Sequence, residues 1–135
     1  MSRSTAPTPT TFTTVDHTGF VLLTTFKRDG TAVSAPVWAV RDAPNNRLLV
    51  ITASESGKAK RIRANGRATL APCNRTGTRL GADIPAHGLQ LPPEDVERYR
   101  HLFYQRYGLM ARGIFTFLRL RYRDMHRVLI ELTPA

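Results

Sequence analysis

Between Thr52 and Arg61 the chain reads Thr-Ala-Ser-Glu-Ser-Gly-Lys-Ala-Lys-Arg, and this is the stretch whose residue types and spacing can do chemistry. It follows Leu48 to Thr52, a run of strand composition, and leads into a short helix, Lys58 to Asn65, that Gly66 stops. A helix start leaves backbone N–H groups without intrahelical partners and carries the positive end of the helix dipole, so it favours an anion. Ser54 and Ser56 are both suited to cap it, and the sequence does not separate them. Lys58 and Arg61, three apart, share a face, the first a compact charge and the second a planar fork that matches phosphate. The chemistry is the grip of a phosphodiester or a carboxylate. A solvated basic helix face or a nucleic-acid patch would draw on the same residue types.

Trp38 is the second focus. It is the one tryptophan, and it follows Pro36 and Val37 at a point where a strand carries a proline. Proline removes a ladder donor, so this position belongs at an edge, a bulge or a bend, which aims Val37 and Trp38 away from a regular core. Trp38 is then either a core or interface aromatic or the wall of a pocket. Tyr99, Phe103, Tyr104 and Tyr107 have helical spacing, the pattern of packing. His17, His87, His101 and His126 are scattered, with no pair four apart and no acid at ligand spacing. Neither a Ser-His-Asp order nor paired carboxylates can be argued. Cys73, the one cysteine, excludes an intrachain disulfide and sits in an apolar run as a buried thiol.

The elements that position these residues follow from the pattern of the chain. Residues 1–14, rich in Ser, Thr and Pro, read as a flexible arm, and 15–135 as one domain. Phe20 to Phe26 is a strand, and Lys27-Arg28-Asp29-Gly30 a hairpin turn of the Asp-Gly kind, favoured where both turn residues take positive φ. Thr31 to Val40 forms the second strand, Asp42 to Asn46 a surface loop, Leu48 to Thr52 the third strand and Arg67 to Cys73 the fourth. Thr78 to Ile84 reads as a fifth strand that Pro85 ends, and His87 to Leu91 as a short sixth. Pro92-Pro93-Glu94-Asp95 opens a helix with Val96, Tyr99, Phe103 and Met110 on its inner face, which Gly108 interrupts or ends. Ala111 to Tyr122 is a second helix or its continuation, and Arg127 to Thr133 the last strand. Hairpins first, helices inserted late and a returning strand predict a mainly β fold with inserted helices, a small closed barrel.

The chain of 135 residues holds 20 Lys plus Arg against 10 Asp plus Glu, a formal charge of +10. Such an excess attracts polyanions, whether nucleic acid, an acidic membrane or a phosphorylated small molecule. A basic nucleic-acid-binding barrel would interleave exposed aromatics with basic residues on its strands, and here the basic residues lie mainly on the helices. Peripheral membrane attachment through Ile114 to Arg123 is broken by Arg119. No run approaches the length of a membrane span and the first residues lack a signal-peptide core, so a cytoplasmic protein is expected. A shallow pocket on so small a core predicts a homodimer.

The ordered words Leu22 to Gly30 (LLTTFKRDG), Ala35 to Val40 (APVWAV), Leu48 to Cys73 with its T-x-x-x-S-G-K and L-A-P-C, Tyr107 to Phe115 (YGLMARGIF) and Arg127 to Leu132 (RVLIEL) resemble the split β-barrel family of flavin and deazaflavin oxidoreductases. Within it, they are similar to the F420-dependent oxidoreductases of the pyridoxamine-5'-phosphate-oxidase-like class. The resemblance implies a single-domain FMN-binding split-barrel-like fold. It also implies a homodimer with shared pockets, coenzyme F420 as cofactor with FMN as the alternative, and hydride transfer to a small conjugated acceptor. Pro36, Val37 and Trp38 would lie near the ring, Thr52, Ala53 and Ser54 near the ring or ribityl chain, and Ser56, Gly57, Lys58 and Arg61 at phosphate. Lys60, Arg63 and Arg67 are either surface charge or contacts to the acidic tail. No catalytic side chain and no metal ligand is implied, and no stable nucleic-acid or membrane partner is expected. The other reading within this fold is a protein that binds F420 or FMN without turnover.

Overall fold

The computed structural model describes residues 20–121 and 127–135. The expected arm at 1–14, and His17 and His126, lie outside them. Seven strands and three helices follow in chain order: β1 (Phe20–Phe26), β2 (Ala32–Val37), β3 (Ala39–Asp42), β4 (Arg47–Ala53), α1 (Gly57–Asn65), β5 (Arg67–Cys73), β6 (Ile84–Gln90), α2 (Asp95–Tyr107), α3 (Met110–Arg121) and β7 (Arg127–Pro134). All strand pairs are antiparallel, in the order β2-β1-β5-β6-β7-β4-β3. The two edges of this sheet are therefore consecutive in sequence, with only Trp38 between them. One residue spans only a few ångströms of chain, so the sheet has to curl until its edges meet at Trp38. The result is a curled half-barrel whose two edges adjoin at Trp38 without pairing with each other.

Alternation along the strands divides most of the apolar residues between two cores, with Leu22, Ala71 and Cys73 in a third, smaller cluster. Leu48 and Val50 of β4 pack with Val21 and Leu23 of β1, Leu70 of β5, Ile130 and Leu132 of β7, and Ala59 and Ile62 of α1. Their neighbours Leu49 and Ile51, with Leu129, face the other way and are covered by Val96 and Phe103 of α2 and by Ala111, Ile114 and Phe115 of α3. Every residue of β4 is buried, as befits a strand packed on both faces.

Four expectations need correction. The hairpin after β1 is closed by Gly30 N–H donating to Lys27 C=O at 2.9 Å and Lys27 N–H to Thr31 C=O at 2.9 Å, with only Gly30 at positive φ, 91°. It is a turn followed by a glycine bulge, and Asp29 instead accepts from Thr31 N–H at 3.0 Å. The second strand does not run through to Val40; it breaks at Trp38, and Pro36 sits on the edge strand β2, where a missing donor costs no ladder bond. Thr78 to Asp83 is exposed and not a strand, apart from a bridge between Cys73 and Arg79. The strand begins at Ile84 and runs through Pro85, whose carbonyl accepts from Ala135 N–H at 3.1 Å. Its nitrogen thus faces the chain just past β7, where no ladder donor is needed. Met110, finally, starts α3 and is 57% exposed, because Gly108 ends α2 and redirects the chain.

A buried ion network fastens the β3–β4 hairpin to β7. Arg47 donates through Nε to Asp42 at 2.7 Å and through Nη1 to Glu131 at 2.9 Å, and its guanidinium lies 4.9 Å from the centre of the Tyr99 ring. Burial works against the charge on Arg47, and the bonds to Asp42 and Glu131 more than restore it. Asn45 adds a bond to Asp42 at 2.8 Å. Arg47→Ala leaves Asp42 buried without its counterion, so urea unfolding of that variant should show a loss of about 3–5 kcal/mol. Arg79→Ala, which breaks an exposed pair with Asp83, should lose less than about 1 kcal/mol. Equal losses would show that the Arg47 network carries no special weight.

Candidate functional site

β4 leaves the sheet at Ala53, and the chain turns at once into α1. Ser56 N–H donates to Ala53 C=O at 3.1 Å to form that turn. Ser56 is the cap: its backbone is extended and its Oγ accepts from Ala59 N–H at 3.2 Å. Thr52 at the end of β4 donates its hydroxyl to Ser56 Oγ at 3.1 Å, which ties the strand end to the helix start. Ser54 caps nothing and offers its carbonyl to Arg63 Nη1 at 2.8 Å. The two serines, inseparable in the sequence, thus divide into a cap and a clasp. Among the described residues, the N–H groups of Gly57 and Lys58 find no acceptor, the condition under which a helix start receives an anion.

Lys58 and Arg61 stand at this start. Burial, and after it the charge of Arg61, lowers the Lys58 ammonium from its ordinary value. Arg61 donates through Nε to Thr25 Oγ1 of β1 at 2.7 Å, and its guanidinium folds back over Gly57, where a Cβ would stand 2.8 Å from Nη1. Gly57 therefore admits the close approach that holds the fork over the helix start. Lys60, Arg63 and Arg67 are occupied elsewhere: Lys60 lies 3.9 Å from Glu55, Arg63 bonds Ser54 and Gln90, and Arg67 stacks 4.5 Å from the Phe26 ring centre.

Pro36, Val37, Trp38, Thr52 and Lys58 come together, with Ile51 and Phe117, around a cleft of about 80 Å³. Trp38 and Phe117 also line a second, larger groove of about 700 Å³, whose other walls are Phe20, Arg75, Met110, Gly113 and Ile114. The Trp38 ring lies 6.5 Å from Phe20 and edge-on to Phe117 at 6.0 Å. The two cavities thus share an aromatic wall, with Lys58 at one end and a largely apolar trough, lined also by Arg75, at the other. Ala53 is fully buried and contributes its carbonyl rather than its side chain.

Several residues of this arrangement escaped the sequence. Thr25 was visible only as a threonine in an apolar strand, yet it is 1% exposed and fixes Arg61. Tyr107, read as packing, both accepts from Ala39 N–H at 3.0 Å and donates to Ala39 C=O at 2.9 Å, which pins the backbone beside Trp38. Arg75 and Phe117 come from a turn and from α3, far from Trp38 in sequence.

No protein-family model matches the chain, and no curated protein does. Solved structures do resemble it. A structure titled F420 reductase matches at 18% identity over 93% of each chain, with a TM-score of 0.58. A candidate pyridoxamine 5'-phosphate oxidase from Listeria innocua matches at 14% identity over 90% of this chain and 88% of its own, with a TM-score of 0.59. HutZ, the heme storage protein from Vibrio cholerae, matches at 13% identity over 91% and 86%, with a TM-score of 0.63.

Two outcomes test the anion cradle. Gly57→Ala should leave stability within about 1 kcal/mol of the native chain, because the side chain that yields is the flexible end of Arg61, while affinity for a phosphorylated ligand falls about tenfold. Unchanged affinity would remove Arg61 from the cradle. The pH dependence has a definite sign: an anion binds the protonated Lys58, and a lowered pKa brings deprotonation to a pH below that of a free lysine. Affinity should fall as pH rises toward that range, and the fall should vanish in Lys58→Ala; a fall that persists would place the titration elsewhere. In its fold the chain is a split β-barrel of the pyridoxamine-5'-phosphate-oxidase-like kind.

Proposed function

We propose that the chain is an F420-dependent oxidoreductase, which passes a hydride between the reduced deazaflavin and a small conjugated acceptor. The observation that carries this reading is that Lys58, at the Ser56-capped helix start where Arg61 folds over Gly57, lines one cleft with Trp38 and Phe117. The residues present fit the coenzyme class. An anionic tail suits the Gly57 and Lys58 N–H groups and the two cations, and a flat ring system suits the side of Trp38. FMN carries the same two features, and it stands as the alternative.

When bound, the coenzyme supplies the hydride chemistry. The chain's part is to orient and to exclude water. Lys58 and Arg61 hold the anionic end, the Thr52–Ser56 hydroxyl pair keeps the helix start in register with β4, and Tyr107 fixes the backbone that presents Trp38. Among the described residues, no carboxylate or imidazole lines either cavity, so the proton that balances the transfer comes from solvent. A heme storage protein among the structural neighbours supports the second reading, a binding protein without turnover. The basic nucleic-acid barrel loses support, since Lys60, Arg63 and Arg67 each have an intramolecular partner.

The homodimer belongs to the same proposal. Met110, Phe117 and Leu120 on α3 are 57%, 51% and 69% exposed, an apolar face beside the large groove that a second copy would cover. Sedimentation equilibrium should give twice the mass of one chain. A monomer that binds coenzyme tightly would refute the shared pocket.

Trp38, as the sole tryptophan, reports on ring binding directly. Titration with F420 and with FMN should quench it saturably, more tightly for F420, and oxidation of reduced F420 in the presence of a conjugated acceptor should depend on Lys58 and Arg61. Tight binding without turnover would select the binding-protein reading. Indifference to both coenzymes would sink the proposal.

A further inference from the structure

A second cationic site lies away from the helix start. Arg100 of α2, Arg112 and Arg119 of α3 and Arg127 of β7 line one groove of about 330 Å³ with Tyr104, Phe115 and Thr116. It shares no residue with the Trp38 cavities. Like charges repel at such range, so the grouping costs free energy unless something holds it. Aromatic faces do part of this: the Arg100 guanidinium lies 4.4 Å from the Phe115 ring centre and 5.8 Å from that of Tyr104, and Arg127 lies 5.9 Å from Phe115. Phe115 and Tyr104 stack with ring planes 6° apart, so this platform is rigid.

Carboxylates supply little more. Glu97 binds Arg100 at 3.0 and 3.3 Å, but Asp95 is taken by Arg98 and Glu131 by Arg47. Among the described residues, Arg112, Arg119 and Arg127 have no acidic partner. The groove is thus a set of four guanidinium forks, two of them held by aromatic faces, with an excess of charge, the arrangement that takes a polyvalent oxyanion.

Spacing narrows the ligand. Arg112, Thr116 and Arg119 fall on one face of α3, and seven residues of helix set the two arginines about 10 Å apart along the axis. The three arginines without an acidic partner among the described residues carry more charge than the about one and a half to two units of a single phosphate, so an anion of several linked phosphates matches the groove better. Base stacking has no platform here, because Phe115 is 3% exposed and the Tyr104 ring is occupied by Phe115 on one side. We infer that the Arg100–Arg112–Arg119–Arg127 groove binds a linear polyphosphate chain, such as that of a nucleoside triphosphate, independently of the Lys58 cradle.

The test is isothermal titration of the full chain with inorganic triphosphate and with orthophosphate at near-physiological salt. The helix start is itself an anion site, so the native chain is compared with Lys58→Ala, Arg112→Ala, Arg119→Ala and Arg98→Ala. Arg98→Ala should bind triphosphate as the native chain does, Lys58→Ala should lose the helix-start component of the isotherm and keep the groove component, and that groove component should lose about tenfold in affinity in Arg112→Ala and again in Arg119→Ala. Orthophosphate should bind at least about tenfold more weakly and respond little to Arg119. Loss of binding in Lys58→Ala with retention in Arg112→Ala would assign the polyphosphate to the helix start and overturn the inference. So would equal losses in all four variants, the mark of a diffuse field. Duplex DNA or anionic vesicles that depend on Arg112 and Arg119 while triphosphate does not would likewise overturn it, in favour of a macromolecular surface.

Discussion

Closure of the sheet at Trp38 is the constraint on which the rest of the structure depends. β2 and β3 are the two edges of one seven-stranded sheet, and one residue joins them. Open edges invite pairing with other chains, and Pro36 leaves one backbone position of the β2 edge without a donor. The curl fixes the chemistry of the seam. A residue between two strands that belong to opposite edges cannot continue either ladder, so Trp38 projects where the barrel parts, beside Pro36 and Val37. Tyr107 holds both backbone groups of Ala39, so the seam is tied to the end of α2 as well as to the sheet.

The anion cradle depends on the other end of the same construction. β4 is buried along its whole length and ends at Ala53, so the chain must leave a packed strand without stranding its polar groups. A turn closed by Ser56 N–H on Ala53 C=O, with Ser56 Oγ then accepting from Ala59 N–H, pairs the strand exit within the chain and leaves the Gly57 and Lys58 N–H groups facing outward from the helix start. Ala59 and Ile62 press the helix into the inner core, which leaves its N-terminus facing the seam. Burial of Lys58 has a cost, visible in its lowered pKa, and an anion at the helix start is what would offset it.

The fold was largely legible in the sequence where alternation and composition speak for both partners of a strand pair. β1, β5 and β7 fall at or within a residue of their expected bounds, and Gly66 ends α1 with φ of 71° as its position implied. What stayed hidden depends on three dimensions. Nothing local in Thr31 to Val40 says that its halves belong to opposite edges of a sheet, since both halves are strand-like and only closure separates them. Thr78 to Ile84 has strand composition, yet Thr78 to Asp83 stays exposed and forms only the bridge between Cys73 and Arg79, which nothing in the segment itself announces. In the cradle, Lys58 and Arg61 were legible from helix spacing. Thr25, which aims Arg61, was not, because it lies across the barrel mouth on another strand.

The two sets of cations obey different rules, and the difference follows from how each is held. At the helix start the donors are backbone N–H groups with two side chains, one of them braced by Thr25, so geometry comes from the strand exit and charge is secondary. In the α2–α3 groove Arg100 rests on Phe115 and Tyr104 and Arg127 on Phe115, while Arg112 and Arg119 stand exposed without an aromatic face among the described residues, so charge dominates. On the readings proposed above, the first arrangement would take one phosphate or carboxylate at a defined point and the second a longer polyanion. A formal charge of +10 is thus unevenly placed along the chain, and the total alone carries no information about either set.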